Sequence, residues 1–207
     1  MKTSTILALV GGIAAIALAA PATTGWAQQP APAAAPKAPA AAPKPKVFNI
    51  TSTDVKDGGK LAEKFGGVNP NLKGCSGQNI SPALNWTNVP EGTKSFAIVM
   101  TDPVPRGGLG FVHWVAYDIP AKKTSLAQGE ASKASNEFKG GKGGTGAETY
   151  FGPCPPIGDK AHPYVITLVA TDLEPGGLKA GMTRDELGAA LTGHIKGQTS
   201  LVARYGH

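Results

Sequence analysis

Runs of hydrophobic residues broken by turn residues fill most of residues 47–207, and this pattern predicts a domain built mainly of β-strands. The runs are rich in Val, Ile, Phe and Tyr, and clusters of Gly, Pro, Asn and Asp separate them, which is typical of strands joined by turns. The predicted strands are residues 47–50, 94–101, 112–119, 164–171 and 200–204.

One helix is predicted over residues 184–196. Thr183 can cap its first turn, and Glu186 three residues later completes a capping box. Gly197 is a suitable stop. Hydrophobic residues then recur every four positions along one face of this helix, at Leu187, Leu191 and Ile195.

Residues 128–148 form a long, polar, Gly-rich stretch that contains the sequence GGKGGTG. No predicted strand leads into this sequence, and it lacks the Lys-Ser/Thr ending of a phosphate-binding loop. We therefore expect residues 128–148 to be a mobile loop.

Composition narrows the class of protein. Gly and Pro together make up 46 of 207 residues, which excludes a coiled coil or an ordinary helical bundle. The formal charge is +6, but residues 47–207 contain 16 basic and 14 acidic side chains and so contribute only +2. Nucleic-acid binding needs a basic face on the folded part, so it is not predicted.

The first 27 residues have the pattern of a secretory signal peptide. Lys2 supplies a positive start, and residues 6–20 form an apolar run that is short for a membrane span. Small residues at Gly25 and Ala27 predict cleavage after Ala27, and hence a periplasmic or secreted bacterial protein without stable membrane insertion. Residues 5–27 contain no cysteine, so a lipid anchor is not predicted. An uncleaved anchor helix is the alternative.

Residues 28–46 alternate alanine and proline and include three lysines. This composition cannot bury a core, so we expect a disordered, semi-extended spacer before a single domain at residues 47–207. With 161 residues, that domain is long enough for a core of its own. We interpret the spacer as a solvated tail; weak attraction to an anionic envelope surface is the alternative.

Cys75 and Cys154 are the two cysteines of the chain. In an oxidising compartment an even count favours a disulfide, which would close a loop of about 80 residues. Two free buried thiols are the alternative. A nucleophilic Cys154 is not favoured, because it lies between prolines with no helix N-terminus to lower its thiol pKa.

Residues that could take part in chemistry concentrate in residues 79–93, 102–120 and 150–164. Asp102 follows a hydrophobic strand, and His113 opens the next strand after a short Gly-rich hairpin. We expect the hairpin to bring Asp102 close to His113, so that the carboxylate fixes the imidazole tautomer and raises its pKa.

The proline-rich loop at residues 152–158 adds a second group of candidates. Its three prolines make the loop stiff, and its glycines let backbone N–H groups approach a ligand. His162 and Tyr164 follow as another hydrogen-bonding edge. Taken singly, Asp102 could cap a turn, His113 could be a satisfied core histidine and Tyr164 could pack in a strand. Their combination favours an anion-binding site.

The chain resembles the phosphatidylethanolamine-binding protein family, and in particular its bacterial, exported Raf-kinase-inhibitor-like branch. The resemblance extends from about residue 74 to residue 172. Four motifs in the same order carry it: NISPALNW (79–86), VPEGTKSFAIVMTDP (89–103), HWVAYDIP (113–120) and YFGPCPPIGDKAHPY (150–164).

This resemblance implies a mainly β fold of two antiparallel sheets with a few peripheral helices, one of them near the C-terminus. It also implies a small pocket at the end of one sheet that takes phosphate or the phosphorylated head of a ligand. The ligand-binding residues that it implies are Asp102, Pro105, His113, Gly152, Pro155, Pro156, His162 and Tyr164.

Two positions depart from the family pattern. The Asp-Pro-Val-Pro sequence at residues 102–105 is one residue shorter than the family motif and lacks its second Asp, which changes the charge and rim of the pocket. Pro163 stands where the family usually has Arg, which removes a cation and a backbone donor.

The favoured function is binding of a small anionic or phosphorylated ligand, with regulation or inhibition of an envelope protein partner. No catalytic residue, cofactor or metal is predicted, since neither a Gly-x-Ser-x-Gly nor a His-Glu-x-x-His motif occurs. One alternative is a hydrolase that uses His113 or His162 as a base, with Asp102 orienting it. Another is a protease inhibitor that acts through surface loops.

Overall fold

Eight β-strands and one short α-helix form the part of the chain that the computed structural model describes, residues 46–207. The predicted signal peptide and residues 28–45 of the predicted spacer lie outside the described residues. The strands are β1 (Asn49–Thr51), β2 (Leu84–Thr87), β3 (Ser95–Asp102), β4 (Phe111–Pro120), β5 (Ser125–Leu126), β6 (Lys139–Gly141), β7 (His162–Thr171) and β8 (Ile195–Tyr205). The helix is α1 (Arg184–Leu191), and short 3-10 turns lie at Glu63–Phe65, Arg106–Gly108 and Glu130–Ser132.

The strands pair into two antiparallel sheets. A five-stranded sheet has the order β6-β4-β3-β7-β8, and a three-stranded sheet has the order β1-β2-β5. The prediction of a mainly β fold with two antiparallel sheets and a helix near the C-terminus is confirmed.

Strand β3 is central because its hydrophobic residues are buried on both faces of the large sheet. Phe96, Ile98 and Met100 belong to the main core, which also takes residues from the small sheet. Ala97, between them in the chain, belongs to a second cluster with Leu187 of α1. Alternate strand residues point to opposite faces, so one strand serves both cores. This packing fixes the end of β3, where Asp102 lies.

The helix is shorter than predicted. The capping box is present: the Thr183 side chain accepts the Glu186 N–H, and the Glu186 carboxylate accepts the Thr183 N–H. The predicted continuation to residue 196 is wrong, because the chain turns at Gly193, whose φ is +83°. Ile195 is half exposed and begins β8, so neither its predicted place on the helix face nor the stop at Gly197 is correct.

Three short strands were not predicted, and one of them lies in the supposed mobile loop. Residues 128–148 contain a 3-10 turn and β6, which pairs with β4. A Cβ at Gly140 or Gly141 would collide with a backbone carbonyl, that of Glu148 or Met182 respectively. These positions therefore need glycine for close backbone packing, and glycine gives no hydrophobic strand pattern. Strand β8 also begins earlier than predicted, at Ile195. Its first residues are largely exposed, so they give no hydrophobic pattern from which this start could be predicted.

Candidate functional site

The titratable side chains that the sequence indicated meet at one end of the large sheet. Asp102 is the last residue of β3, His113 lies at the start of β4, and His162 is the first residue of β7. Since β3 pairs antiparallel with both neighbours, the end of β3 lies beside the start of each. All three side chains are buried.

Asp102 pairs with His162 rather than with His113. The Nδ1 of His162 lies 2.7 Å from the Asp102 Oδ2, and both side chains are almost fully buried. The other oxygen, Oδ1, accepts the Val104 N–H at 2.9 Å, so Asp102 also caps the turn. The predicted direct contact of Asp102 with His113 is wrong, because the partner comes from β7. On the outer side of His162, the exposed Asp159 carboxylate lies 3.5 Å from Nε2.

His113 is held by backbone carbonyls. Its Nδ1 lies 3.1 Å from the carbonyl oxygens of Phe151 and Gly152, which can only accept, so Nδ1 bears the hydrogen. Burial lowers the pKa of His113, against the opposing effects of these carbonyls and of the nearby Asp102. The expected rise in this pKa is therefore wrong. The neutral ring presents its Nε2 as a hydrogen-bond acceptor.

Aromatic rings surround the two histidines. The ring of His113 packs edge-on against Phe111 and Tyr164, with centroids 4.9 and 5.1 Å away, and stacks on Phe151 at 5.8 Å. Tyr164 stacks on His162 at 6.5 Å. This apolar surrounding excludes water from the ring of His113, and it explains why burial outweighs the nearby negative charge in setting the pKa.

The Tyr164 hydroxyl is buried close to the Asp102 carboxylate and the Cys154 backbone, but it forms no hydrogen bond of good geometry among residues 46–207. Burial and the negative charge of Asp102 raise its pKa well above the ordinary value, so the hydroxyl stays protonated. A buried polar group without a partner costs free energy and calls for an explanation at each place where it occurs.

The glycine of the proline-rich loop has a packing role that the sequence did not indicate. The Gly152 N–H is already donated to the Asn79 Oδ1 at 2.9 Å, and a Cβ at position 152 would collide with the Phe65 carbonyl oxygen. The expectation that glycine opens this backbone to a ligand is therefore wrong at Gly152. Cys75 and Cys154 form the predicted disulfide, which ties the loop to residues 66–79.

The other predicted site residues lie on the flanking loops. Pro155 is buried and its carbonyl accepts the His207 Nε2–H at 3.3 Å, whereas Pro105 is partly exposed and Pro156 is exposed. Their part in ligand binding stays a prediction. Reasoning from the sequence missed Asn79, although it opens the NISPALNW motif; its side-chain amide also donates to the Tyr150 carbonyl.

The geometry bears differently on the predicted catalytic alternatives. Both cysteine sulfurs are in the disulfide, so neither is a free nucleophile. Of the two histidines that could serve as the base of a hydrolase, His162 contacts the Asp102 carboxylate, whereas His113 contacts only backbone carbonyls. Within residues 46–207, no group of three or more His, Cys, Asp or Glu side chains is placed to hold a metal ion. In the same range, no helix is long and apolar enough to cross a membrane.

The structure is therefore that of a β protein with two antiparallel sheets and a buried histidine–carboxylate cluster at one end of the larger sheet. The sequence profile of the phosphatidylethanolamine-binding protein family matches residues 51–206. The chain therefore belongs to the phosphatidylethanolamine-binding protein family, as its four motifs indicated.

Relatives and solved structures agree with this membership. A UPF0098 protein of Aquifex aeolicus is 36% identical over 161 residues, which cover 77% of this chain and 88% of the relative. LppC of Mycobacterium tuberculosis, which has a lipoprotein name, is 33% identical over 188 residues, covering 89% and 79%. The crystal structure of Escherichia coli YbcL, described as a member of the mammalian PEBP family, superposes with a TM-score of 0.70 at 31% identity, covering 77% of this chain and 98% of YbcL.

Proposed function

We propose that this protein is exported and that the cluster around His113 binds a small phosphate-bearing group. The observation that carries the proposal is a pair of incompletely used polar groups in one buried cluster. The Tyr164 hydroxyl forms no hydrogen bond of good geometry although Asp102 and Cys154 lie near it, and His113 uses only Nδ1 in hydrogen bonds among the described residues. A hydrogen phosphate has both an acceptor oxygen for the hydroxyl and a P–OH donor for Nε2.

Binding of a phosphate dianion is expected to depend on pH. In the free protein the pKa of His113 is lowered by burial, so the ring is neutral near pH 7. The neutral Nε2 accepts the P–OH of the ligand, and protonation of the ring would remove that acceptor. The hydrogen bond to Nε2 is therefore expected near pH 7 and should be lost as the pH falls through the lowered pKa of the ring.

The test is an NMR titration of the full chain with phosphate and phosphoethanolamine, with sulfate as the matched control. Sulfate has the shape of phosphate but no proton to donate at pH 7, so it should bind more weakly. We expect shifts at Asp102, His113, Gly152 and Tyr164, and their loss in His113→Asn, where the amide can still donate to the Phe151 carbonyl. No shift at millimolar phosphate would contradict the proposal and leave protein–protein inhibition as the leading function.

Export has its own test. The leader pattern supports it, as do the disulfide and the lipoprotein name of LppC. Mass spectrometry of the protein from the envelope fraction of its host should find Gln28 as the first residue. An envelope protein that begins at Met1 would favour the uncleaved anchor, and recovery from the cytosol alone would contradict export.

A further inference from the structure

We infer that the chain has a second anion site, separate from the His113 cluster, which accepts a diphosphate group. A cavity of about 310 Å³ opens between the β3–β4 loop, the loop after β6 and the first turn of α1. Each of these three segments contributes one cation to its lining: Arg106, Lys142 and Arg184. Asp102, His113 and His162 do not line this cavity.

The cations of the cavity are incompletely neutralised. Neither Arg106 nor Lys142 forms an ion pair with any of the described residues, and Arg184 pairs only with the exposed Asp185 at 2.9 Å. Glu148 and Lys142 both lie next to Gly181, but they form no ion pair with each other. Three cations against the one lining carboxylate leave the cavity with a positive charge that an anion would neutralise.

The backbone holds Arg106 in an unusual conformation at the cavity. Its φ is +57°, in the left-handed region that side chains other than Asn and Asp rarely adopt, although Gly107 and Gly108 follow directly. Its guanidinium lies 5.3 Å from the centre of the Phe111 ring. Arg106 is exposed, and this contact holds its guanidinium against the ring at the edge of the cavity. Strain of this kind is found where a side chain must be held in place.

The GGKGGTG sequence forms the floor of the same cavity. The Lys142 N–H is donated to the Met182 carbonyl, and the Gly144 N–H to the Val112 carbonyl, which fasten the loop between α1 and β4. A Cβ at Gly144 would lie 2.5 Å from the Phe111 ring, so a larger residue there would displace that ring. The loop was predicted to be mobile and not to bind phosphate. The structure places its lysine in the lining of the same cavity as two arginines from distant parts of the chain.

A diphosphate suits this site because it has two or more negative charges, and because arginine and phosphate match in a two-point geometry. The group could be free or attached to an organic tail. Leu109, 85% exposed, also lines the cavity, and an apolar tail would cover it. Free pyrophosphate and an alkyl diphosphate are therefore the two probes, and Leu109→Ser should remove any preference for the alkyl compound.

The test is calorimetric titration of the full chain with pyrophosphate at low salt. Lys142→Met and Arg184→Met each keep an apolar stem and remove a charge, and each should weaken binding roughly tenfold. Asp185→Asn should strengthen binding, because it removes the lining carboxylate. Lys73→Met removes an exposed lysine of another loop and should have no effect.

The outcomes separate this site from the proposed phosphate site. His113→Asn should weaken phosphate binding at the cluster much more than pyrophosphate binding at the cavity, which His113 can reach only through the Phe111 ring. The inference is overturned if Lys142→Met and Arg184→Met bind pyrophosphate as the unaltered chain does. It is also overturned if Lys73→Met weakens binding as much as they do, since the effect would then be one of net charge.

Discussion

The protonation state of the single residue His113 affects the stability of the folded chain. Its pKa is lowered by burial, so the folded chain binds a proton at this ring less readily than the unfolded chain, whose histidine titrates near pH 6.5. The contribution of the neutral His113 ring to the unfolding free energy is complete above about pH 6.5. It is lost as the pH falls below that value, because the unfolded chain then binds a proton at this histidine more readily than the folded chain does.

Replacement of His113 by Asn should flatten the pH dependence of stability. The Asn amide can still donate to the Phe151 and Gly152 carbonyls but does not titrate. Urea unfolding at pH 7.5 and pH 5.5 should therefore show a smaller loss of unfolding free energy in His113→Asn than in the unaltered chain. Equal losses would mean that other groups produce the acid sensitivity. The exposed His194, paired with Asp172, provides a control variant, His194→Asn.

Removal of the Asp102 carboxylate should be costly. Asp102→Ala leaves the buried Nδ1 of His162 and the Val104 N–H without their partner, which we expect to cost about 3 kcal/mol of unfolding free energy. Asp159→Ala removes a carboxylate from the other, exposed side of His162 and should cost under about 1 kcal/mol. Urea unfolding would measure both; similar costs would contradict the importance given to the buried pair.

At this scale the sequence identified the right side chains but the wrong pairs. Asp102, His113, His162 and Tyr164 were all singled out, and all meet at one end of the sheet. The pairing of Asp102 with His162 depends on β3 lying beside β7, about 60 positions further along the chain. A single sequence does not state strand order, so the nearer histidine was chosen.

At the scale of elements, patterns that are local in the chain were predicted well. The capping box at Thr183 needs only residues within one turn, and it is present. The end of α1 was missed because Leu191 and Ile195 keep a helical spacing, whereas pairing of Ile195 with Thr171 draws the chain into β8. Long-range sheet pairing overrides local spacing of this kind.

The capping box gives a measurable prediction for α1. Thr183→Ala removes the acceptor of the Glu186 N–H and should cost about 1 kcal/mol, whereas Thr183→Ser should cost much less. Lys179 and Thr183 lower the pKa of Glu186 to about 2, so its part in the box is complete above about pH 4.5 and lost as the pH falls toward 2. Thermal unfolding of Thr183→Ala and Thr183→Ser at pH 7 would measure the two losses of stability. Equal losses in the two variants would contradict a capping role for the Thr183 hydroxyl.

At the scale of the whole molecule, the disulfide joins two loops that also pack against each other, since the Gly67 N–H is donated to the Pro153 carbonyl at 2.7 Å. Cys75 lies in the segment that precedes β2, and Cys154 lies in the proline-rich loop, 79 positions further along the chain. Closing a loop of this length restricts the unfolded chain by about 4.5 kcal/mol in the chain-entropy account. Because this bond forms readily only in an oxidising compartment, the stability that the disulfide adds is expected to depend on the compartment in which the chain folds.

Export and stability can therefore be tested together. The full chain, produced in a bacterial host that exports it, should be lighter than its reduced form by two hydrogen atoms. A chain lacking residues 1–27 should stay in the reducing cytosol of the same host and contain both thiols. Urea unfolding should show that its unfolding free energy is lower, by up to about 4.5 kcal/mol. Cys75→Ser with Cys154→Ser should make the two products equally stable. If the leaderless chain were oxidised in the cytosol, or equally stable when reduced, stability would not depend on where the protein is sent.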